Sequence, residues 1–208
     1  MNVLIVGATG TVGALAVRQM LAAGHQVTAF SRSPETLEID DPNLIRVSGD
    51  VRDLQQVTQA VAGQDVVVVT LGSKSLRSTV RSEGTLNVIR AMQTTRVKRL
   101  ICQTTLGAGD SWSNLNAFWK WIMFSGLLRV VFRDHQLQER LVEASGLDWT
   151  IVRPSAFTDE PATGAFREGF PSTERGLRLT ISRADIAAFL SRQLVETQYL
   201  CRAVSISA

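Results

Sequence analysis

The sequence is poor in the residues that build disulfide-stapled or metal-dependent proteins. Its 208 residues include 2 cysteines, 2 histidines and 1 tyrosine. Cys102 and Cys201 are distant and lie in apolar runs, so we expect two buried thiols rather than a disulfide scaffold. Two histidines and two distant cysteines cannot assemble a metal cluster, and we predict no metal site.

Long hydrophobic runs are also missing. The longest apolar stretch, residues 115–132, is interrupted by Lys120 and Arg129, so we predict no stable insertion into a membrane. The apolar run of residues 3–6 begins right after Met1 and Asn2, without a basic region or a cleavage signature. The expected location is therefore the cytoplasm.

No charge of one sign dominates. Lys and Arg number 22 against 19 Asp and Glu, for a net charge of +3. This excess is too diffuse to indicate a nucleic-acid surface, but it suits a phosphorylated or carboxylated small ligand. With 45% hydrophobic residues, the chain has globular composition. Its length fits a single domain over residues 1–208, and nothing in it requires more than a monomer.

What is present is a regular alternation of strand and helix patterns. Residues 65–70 contain four consecutive valines, which indicates a strand covered on both faces. The alternation predicts an α/β fold, a doubly wound parallel sheet with helices on both faces. Irregular segments 104–132 and 155–177 follow strand ends and are the predicted substrate wall. The predicted strands are 2–6, 27–31, 44–48, 65–70, 99–103, 149–152 and 204–207, and the predicted helices are 11–23, 54–62, 79–95, 134–145 and part of 180–194.

A glycine-rich loop joins the first strand to the first helix. Gly7 permits a tight turn, Gly10 lets a phosphate approach the backbone, and Gly13 lets the helix pack closely on the sheet. Free N–H groups at the helix start favour a pyrophosphate, so we predict that Thr9, Thr11 and Val12 also contact a dinucleotide. The alternative is a tight turn without function. The loop lacks the Gly-Lys-Ser/Thr of a nucleoside triphosphatase.

The ends of the next strands suggest which dinucleotide binds. After the second strand the chain has Ser31, Arg32 and Ser33 where NAD-binding proteins usually place a carboxylate. Arg32 can pair with a 2′-phosphate, which predicts NADPH, although a solvated Arg32 and the nearby Glu35 leave an indifferent site open. Asp50 and Val51 are predicted to hold adenine. We expect Leu71 and Gly72 to pass the adenosine side of the cofactor.

Several motifs together resemble the atypical short-chain dehydrogenase/reductases. They are the N-terminal GATGTVG, Gly49-Asp50, the segments 61–65 and 145–154, Ser82-Glu83-Gly84, Asp134-His135 and the segment 161–165. Within that family the chain is most similar to the biliverdin reductase B/flavin reductase group. The resemblance extends over nearly the whole chain. It implies a Rossmann-like fold, NADPH as hydride donor, and a broad pocket for flavins or linear tetrapyrroles.

The resemblance also implies site residues. Thr105 matches a hydroxyl residue near the nicotinamide and the substrate, with Thr104 beside it, and Pro154 closes a motif next to the cofactor. His135, expected at a helix start, matches a family histidine that lines the acceptor site. A second family histidine falls on Ala156 here, which excludes a histidine acid at that position.

Two further residues are candidates from their chemistry alone. Trp112, in the loop after the fifth strand, is predicted to stack on a planar acceptor. Arg178, with Arg167 and Arg175 nearby, is a candidate partner for a propionate or phosphate. For each of them a packing or solvated role is the alternative.

The Tyr-Lys pair of ordinary short-chain dehydrogenases is missing. That pair, four residues apart, protonates a carbonyl oxygen, but Val131 and His135 stand at the expected positions and Tyr199 lies far beyond them. Two interpretations remain. The protein reduces an acceptor that needs no dedicated acid, such as a flavin or a bilin, or it is a non-catalytic NADP(H)-binding redox sensor or assembly factor.

Overall fold

A central sheet of eight strands organises the molecule. The computed structural model describes residues 1–208. The strand order is β3-β2-β1-β4-β5-β6-β10-β8, and all neighbours are parallel except β10 and β8. A separate parallel pair joins β7 and β9. The strands are β1 (Asn2–Val6), β2 (Gln26–Ser31), β3 (Leu44–Ser48), β4 (Val66–Val69), β5 (Arg99–Gln103), β6 (Asp148–Pro154), β7 (Ala156–Thr158), β8 (Arg167–Glu168), β9 (Thr180–Ser182) and β10 (Arg202–Ser207).

Helices cover both faces of the sheet, as the alternation predicts. Helices α1 and α5 pack together on one face, whereas α2, α3 and α4 pack side by side on the other. Each face has its own core, of 25 and 19 buried residues, and all four valines of β4 are buried between them. The helices are α1 (Thr11–Ala22), α2 (Leu54–Val61), α3 (Val80–Thr95), α4 (Arg129–Glu143) and α5 (Arg183–Arg192).

The strand order reverses between β1 and β4. From β1 the chain proceeds outward through β2 to β3, and then returns to β4 on the other side of β1. Loops that leave the carboxyl ends of β1 and β4 therefore diverge to opposite sides and open a crevice, which is where doubly wound sheets bind ligands. The glycine loop follows β1 and contributes to this crevice.

The region after β5 differs most from the sequence expectations. Residues Phe118–Leu127 form a π-helical segment, and α4 begins at Arg129 rather than at residue 134. A short 3₁₀ turn, Gly109–Asn114, lies within the predicted loop. This region has a small core of its own, formed by Leu106, Leu115, Phe124, Phe132 and Leu179. Tertiary packing of these apolar side chains extends α4 toward the N-terminus, although no N-cap residue marks its start.

The two cysteines differ in their exposure. Cys102 is buried, but Cys201 is exposed, because it occupies a turn before β10 with a φ of 52°. The prediction that both thiols are buried is therefore wrong for Cys201. No helix has the length and apolar character that crossing a membrane would demand.

Candidate functional site

A large cavity lies over the carboxyl ends of the parallel strands. Its volume is about 1370 Å³, and its wall includes the loops after β1, β2, β3, β4 and β5. The glycine loop stands at one side, and aromatic side chains of the π-helical segment stand in the wall formed after β5. The site therefore coincides with the switch point of the sheet.

The glycine loop has a geometry that larger residues cannot reproduce. Gly7 has a φ of 89°, and a Cβ there would stand 2.8 Å from the Thr70 carbonyl oxygen. At Gly13 a Cβ would stand 2.3 Å from the Gly7 carbonyl oxygen, so this glycine permits the close packing of α1 on the loop. Gly10 is exposed and serves as the N-cap of α1, without a side-chain cap. The first N–H groups of α1 thus remain available to a phosphate, and the loop fits a dinucleotide.

The far end of the cavity suits the adenosine part of such a ligand. Arg32 is exposed at the cavity rim, and its guanidinium has no partner within the protein. Val51 is buried and offers an apolar surface, while Asp50 is exposed and accepts a 2.9 Å hydrogen bond from the Arg52 N–H. Glu35 lies in the 3₁₀ turn Pro34–Thr36 and does not line the cavity, so Asp50 is the one carboxylate residue in its wall.

The two threonines after β5 differ in their partners. Thr104 is buried, and its hydroxyl donates a 2.6 Å hydrogen bond to Oε1 of Glu139. Glu139 is itself buried and accepts bonds of 2.9 and 2.8 Å from Nε and Nη2 of Arg153. Thr105 is half-buried, and its hydroxyl makes only a 3.4 Å bond to the adjacent Leu106 carbonyl. Both line the cavity, but only the Thr105 hydroxyl is largely free to meet a ligand.

His135 lines the cavity in the second turn of α4, not at a helix start as the sequence predicted. Its Nδ1 lies 3.1 Å from Oε1 of Gln138. Burial, reinforced by the positive charge of Arg81, lowers the pKa of His135 to about 3, while the contact with Gln138 opposes this shift. The imidazole is therefore neutral at neutral pH. It contributes a polar group to the cavity wall and does not act as a general acid.

The remaining wall is apolar and aromatic. Trp119, Phe124, Leu115 and Leu179 line the cavity, and the Trp119 and Phe124 ring centroids lie 5.6 Å apart. Val131 also faces the cavity, one helical turn before His135. The two positions at which ordinary short-chain dehydrogenases carry Tyr and Lys therefore face the site, but neither residue there can replace that pair.

Most of the predicted residues meet around this one cavity, and a few do not. Those that line it are Gly7, Thr9, Gly10, Thr11, Val12, Arg32, Asp50, Val51, Leu71, Gly72, Thr104, Thr105 and His135. Gly13 lies behind the loop, and Pro154 ends β6, where its carbonyl accepts a 2.8 Å bond from the Leu106 N–H. Neither residue lines the cavity; each supports a loop that does.

Trp112 and Arg178 lie outside the cavity, which corrects their predicted contact with a substrate there. Trp112 packs on Phe132, with ring centroids 5.3 Å apart, and lines a separate pocket of about 280 Å³. Arg178 is exposed, and its backbone N–H donates to the Ala208 carbonyl at 3.0 Å. Both residues lie near strand ends in the sequence, but this position did not direct either side chain into the cavity.

The sequence analysis missed several cationic side chains in the cavity wall. Arg183 lies at the start of α5, where its Nε is 3.2 Å from the Thr11 hydroxyl of the glycine loop. Arg81 lies in the first turn of α3, and Arg52 and Lys74 also line the cavity. Arg81 directly precedes the Ser82-Glu83-Gly84 motif, but only the packing of α3 on α4 shows that this residue faces the site.

Two curated relatives are similar to this chain over most of its length. The UPF0659 protein YMR090W of Saccharomyces cerevisiae is 26% identical over 209 residues, which cover 94% of this chain and 87% of that protein. The uncharacterized sugar epimerase YhfK of Bacillus subtilis is 26% identical over 220 residues, covering 100% and 94%. Four further relatives are matched only in part, since the chain spans between 31% and 61% of their lengths.

Solved structures share the fold over the whole chain. ChuY, an anaerobilin reductase from Escherichia coli O157:H7, superposes with a TM-score of 0.81 at 25% identity, covering 100% of this chain and 97% of that one. The resemblance to the atypical short-chain dehydrogenase/reductases is thereby confirmed. The model of a family described as NAD(P)H-binding matches residues 7–197, from the glycine loop to beyond the end of α5. With the glycine loop and the switch-point cavity in place, the chain belongs to this NAD(P)H-binding family.

Proposed function

We propose that the protein is an NADPH-dependent reductase whose acceptor is a flavin or a linear tetrapyrrole. The observation that carries this proposal is the single continuous cavity. It joins a dinucleotide loop to an aromatic wall, and Thr105 and His135 line the same space. A volume of about 1370 Å³ exceeds the roughly 300–1,000 Å³ of ordinary ligand pockets, so it has room for a cofactor and a planar acceptor.

The proposed roles follow from where each side chain lies. The glycine loop and the α1 N-terminus hold the pyrophosphate, Arg32 pairs with the 2′-phosphate, and Asp50 and Val51 hold adenine. The free Thr105 hydroxyl positions the nicotinamide against the acceptor, and Trp119 offers an aromatic face to a planar ring. When bound, the reduced nicotinamide supplies a hydride.

The chemistry of the wall favours an acceptor that needs no protein acid. Val131 has no proton to give, and the lowered pKa keeps His135 without an extra proton. Reduction at a flavin nitrogen or at a bilin methine bridge delocalises the added charge, so water can bring the proton. A simple carbonyl compound would lack this advantage. Similarity to ChuY, which is described as an anaerobilin reductase, supports the bilin class.

The absent Tyr-Lys pair equally suits the second interpretation, a protein that binds NADP(H) as a redox sensor or assembly factor. The two functions differ in turnover. The test mixes purified protein with NADPH and either FMN or biliverdin, and follows the absorbance of the reduced nicotinamide, with NADH in parallel. We expect oxidation with at least one acceptor, faster with NADPH. Tight NADPH binding without turnover on either acceptor would favour the sensor.

The cofactor preference has its own test in Arg32→Ala. The variant loses a charge-assisted contact worth roughly 1.5–3 kcal/mol, so we expect KM for NADPH to rise about ten- to a hundred-fold while KM for NADH changes little. Arg90→Ala is the matched control, because Arg90 is exposed on α3 and does not line the cavity. Equal losses for the two cofactors in Arg32→Ala would contradict the role of Arg32.

A further inference from the structure

Arg81 is a buried cation with unused hydrogen-bond donors. It is 8% exposed, and no nitrogen of its guanidinium donates a hydrogen bond within the protein. Nε and Nη1 are closed off from the surroundings, so Nη2 is the unpaired donor that a ligand can reach. A buried guanidinium whose donors lack hydrogen-bond acceptors is costly, even beside a negative charge, and proteins rarely retain one without a compensating interaction. Burial lowers the pKa of Arg81, and the negative charge of Asp134 opposes this shift.

The one nearby carboxylate does not satisfy these donors. Asp134 lies 3.7 Å from Nη1 of Arg81, too far for a hydrogen bond. Its two oxygens already accept bonds of 3.1 and 3.0 Å from the backbone N–H groups of Arg81 and Ser82, and one of 2.5 Å from the Ser82 hydroxyl. Asp134 therefore serves the start of α3, and the guanidinium of Arg81 keeps its unused donors.

Arg81 lines the cavity on the side of His135. Asp134, which contacts Arg81, is the residue before His135, and the charge of Arg81 is felt by the imidazole. Other cations stand elsewhere in the wall. Arg183 contacts the glycine loop and pairs with Asp159 at 2.5 Å, and Arg52 pairs with Glu83 at 2.9 Å, whereas Arg32 and Lys74 make no ion pair. In all, five Lys and Arg side chains line the cavity against one carboxylate, Asp50. Such a wall attracts anions.

We infer that Arg81 binds an anionic group of the acceptor, a carboxylate or a phosphate, and thereby selects acceptors that carry one. This inference rests on the proposed function, because it assigns a substrate class to the same cavity. The pyrophosphate and the 2′-phosphate of the cofactor have their own partners in the glycine loop and Arg32. The anion left for Arg81 is therefore the one on the acceptor.

Pairs of acceptors that differ only in the anion provide the test. FMN and riboflavin share one ring system, and biliverdin and its dimethyl ester share another. Binding of each is measured by fluorescence or absorbance titration of the protein saturated with NADP⁺, so no turnover is needed. The variants are Arg81→Met, which removes the charge at similar length, Arg81→Lys, which keeps it, and Arg90→Met, a control on the exposed face of α3.

We expect the wild type to bind the anionic member of at least one pair more tightly. Arg81→Met should weaken that binding about ten- to a hundred-fold and leave the binding of the neutral member and of NADP⁺ unchanged. Arg81→Lys should restore part of the preference, and Arg90→Met should have no effect. The absence of an anion preference in both pairs, or equal losses for both members of a pair, would overturn the inference.

Two outcomes separate this inference from the proposed function. If Arg81→Met weakens NADP⁺ instead, the anion belongs to the cofactor and the acceptor subsite is excluded. If the wild type shows the anion preference in titrations but never oxidises NADPH, the subsite stands and the reductase assignment fails.

Discussion

Thr104 and Thr105 are adjacent, and both line the cavity. Their hydroxyls have different hydrogen-bond partners, so we expect them to have different roles. The Thr104 hydroxyl donates a hydrogen bond to the buried carboxylate of Glu139, whereas the Thr105 hydroxyl makes only a weak contact with the Leu106 carbonyl. Sequence similarity pointed to both positions. The division between them depends on Glu139 and Arg153, which lie on different elements and carry no recognisable spacing.

Replacing each threonine by valine should separate stability from turnover. Thr104→Val removes a hydrogen bond to a charged group, and we expect it to lower the free energy of unfolding by roughly 1.5–3 kcal/mol. Thr105→Val should leave that free energy nearly unchanged and reduce kcat about ten- to a hundred-fold through poorer positioning. Urea unfolding and steady-state kinetics on both variants check this. The opposite assignment of effects would remove Thr105 from the site.

His135 makes stability depend on pH. The pKa of His135 is about 3 in the folded protein and about 6.5 in an unfolded chain. Below about pH 6.5 the unfolded chain therefore binds a proton that the folded protein rejects, and stability falls as the pH falls. At about pH 5 the loss due to this residue is about 2 kcal/mol.

The variant His135→Gln cannot titrate, so its free energy of unfolding should fall less between about pH 7.5 and about pH 5. We expect the difference from wild type to be about 2 kcal/mol in urea unfolding. His25→Gln is the control, because the lowering of the His25 pKa is smaller. Parallel pH profiles for the wild type and His135→Gln would show that the folded imidazole accepts a proton normally.

The start of α3 is held by a residue of another helix. The hydroxyl of Thr79, the N-cap residue, donates to Glu83 and caps no backbone N–H group of α3. Asp134 of α4 accepts hydrogen bonds from two of these N–H groups instead. By contrast, Asp53 caps α2 from its own sequence position, with bonds to the Gln55 and Gln56 N–H groups. Capping by local residues can be read from a sequence, whereas a cap 52 or 53 residues away cannot.

Asp134→Ala should therefore cost far more than Asp53→Ala. The first change leaves two buried backbone N–H groups without an acceptor, the Ser82 hydroxyl with only its 3.3 Å bond to the Thr79 carbonyl, and Arg81 without a neighbouring negative charge, for an expected loss of about 3–5 kcal/mol. The second removes an exposed cap, for an expected loss of about 1 kcal/mol. Equilibrium unfolding of both variants in urea gives the comparison. Similar losses would mean that α3 does not depend on this contact.

The elements that the sequence predicted well are those whose pattern is local. The strand valines, the helix periodicity and the glycine loop need no distant partner, and they produced the sheet and its ligand crevice. The boundary of α4 was five residues late because the apolar residues 117–132 have no single period. They fold as a π-helical segment around the cluster of Leu106, Phe124 and Phe132.

At the scale of the whole molecule, the cavity borders both halves of the sheet. The glycine loop follows β1, Arg32 follows β2, and Thr105 follows β5, so a ligand that fills the cavity touches elements far apart in sequence. A ligand that binds only this folded arrangement must stabilise it. The sequence predicted a doubly wound parallel sheet, but it did not predict that β10 lies between β6 and β8.

NADPH should therefore raise the thermal midpoint. At a hundred times its Kd the stabilisation is about 2.7 kcal/mol, which corresponds to roughly 5–11 °C for a chain of this size. Gly10→Ala is the matched variant. The φ of −68° is open to alanine, and its Cβ would stand 3.1 Å from the Gly7 carbonyl oxygen, so the loop must shift by only a few tenths of an ångström. The methyl group would occupy the surface at which we expect the phosphate to approach. We expect this variant to fold and to lose most of the shift. A full shift in Gly10→Ala would place the cofactor elsewhere.

The position of Trp119 affects the fluorescence of the protein. Of the four tryptophans, only Trp119 stands in the wall of the cavity: Trp112 lines a different pocket, Trp121 is 70% exposed, and Trp149 lies in β6. Tryptophan emits in the range where reduced nicotinamides absorb, and oxidised nicotinamides do not absorb there. Excitation energy can therefore pass from Trp119 to a bound reduced cofactor and stop passing once that cofactor is oxidised. The protein carries its own reporter of the redox state of whatever nicotinamide it holds.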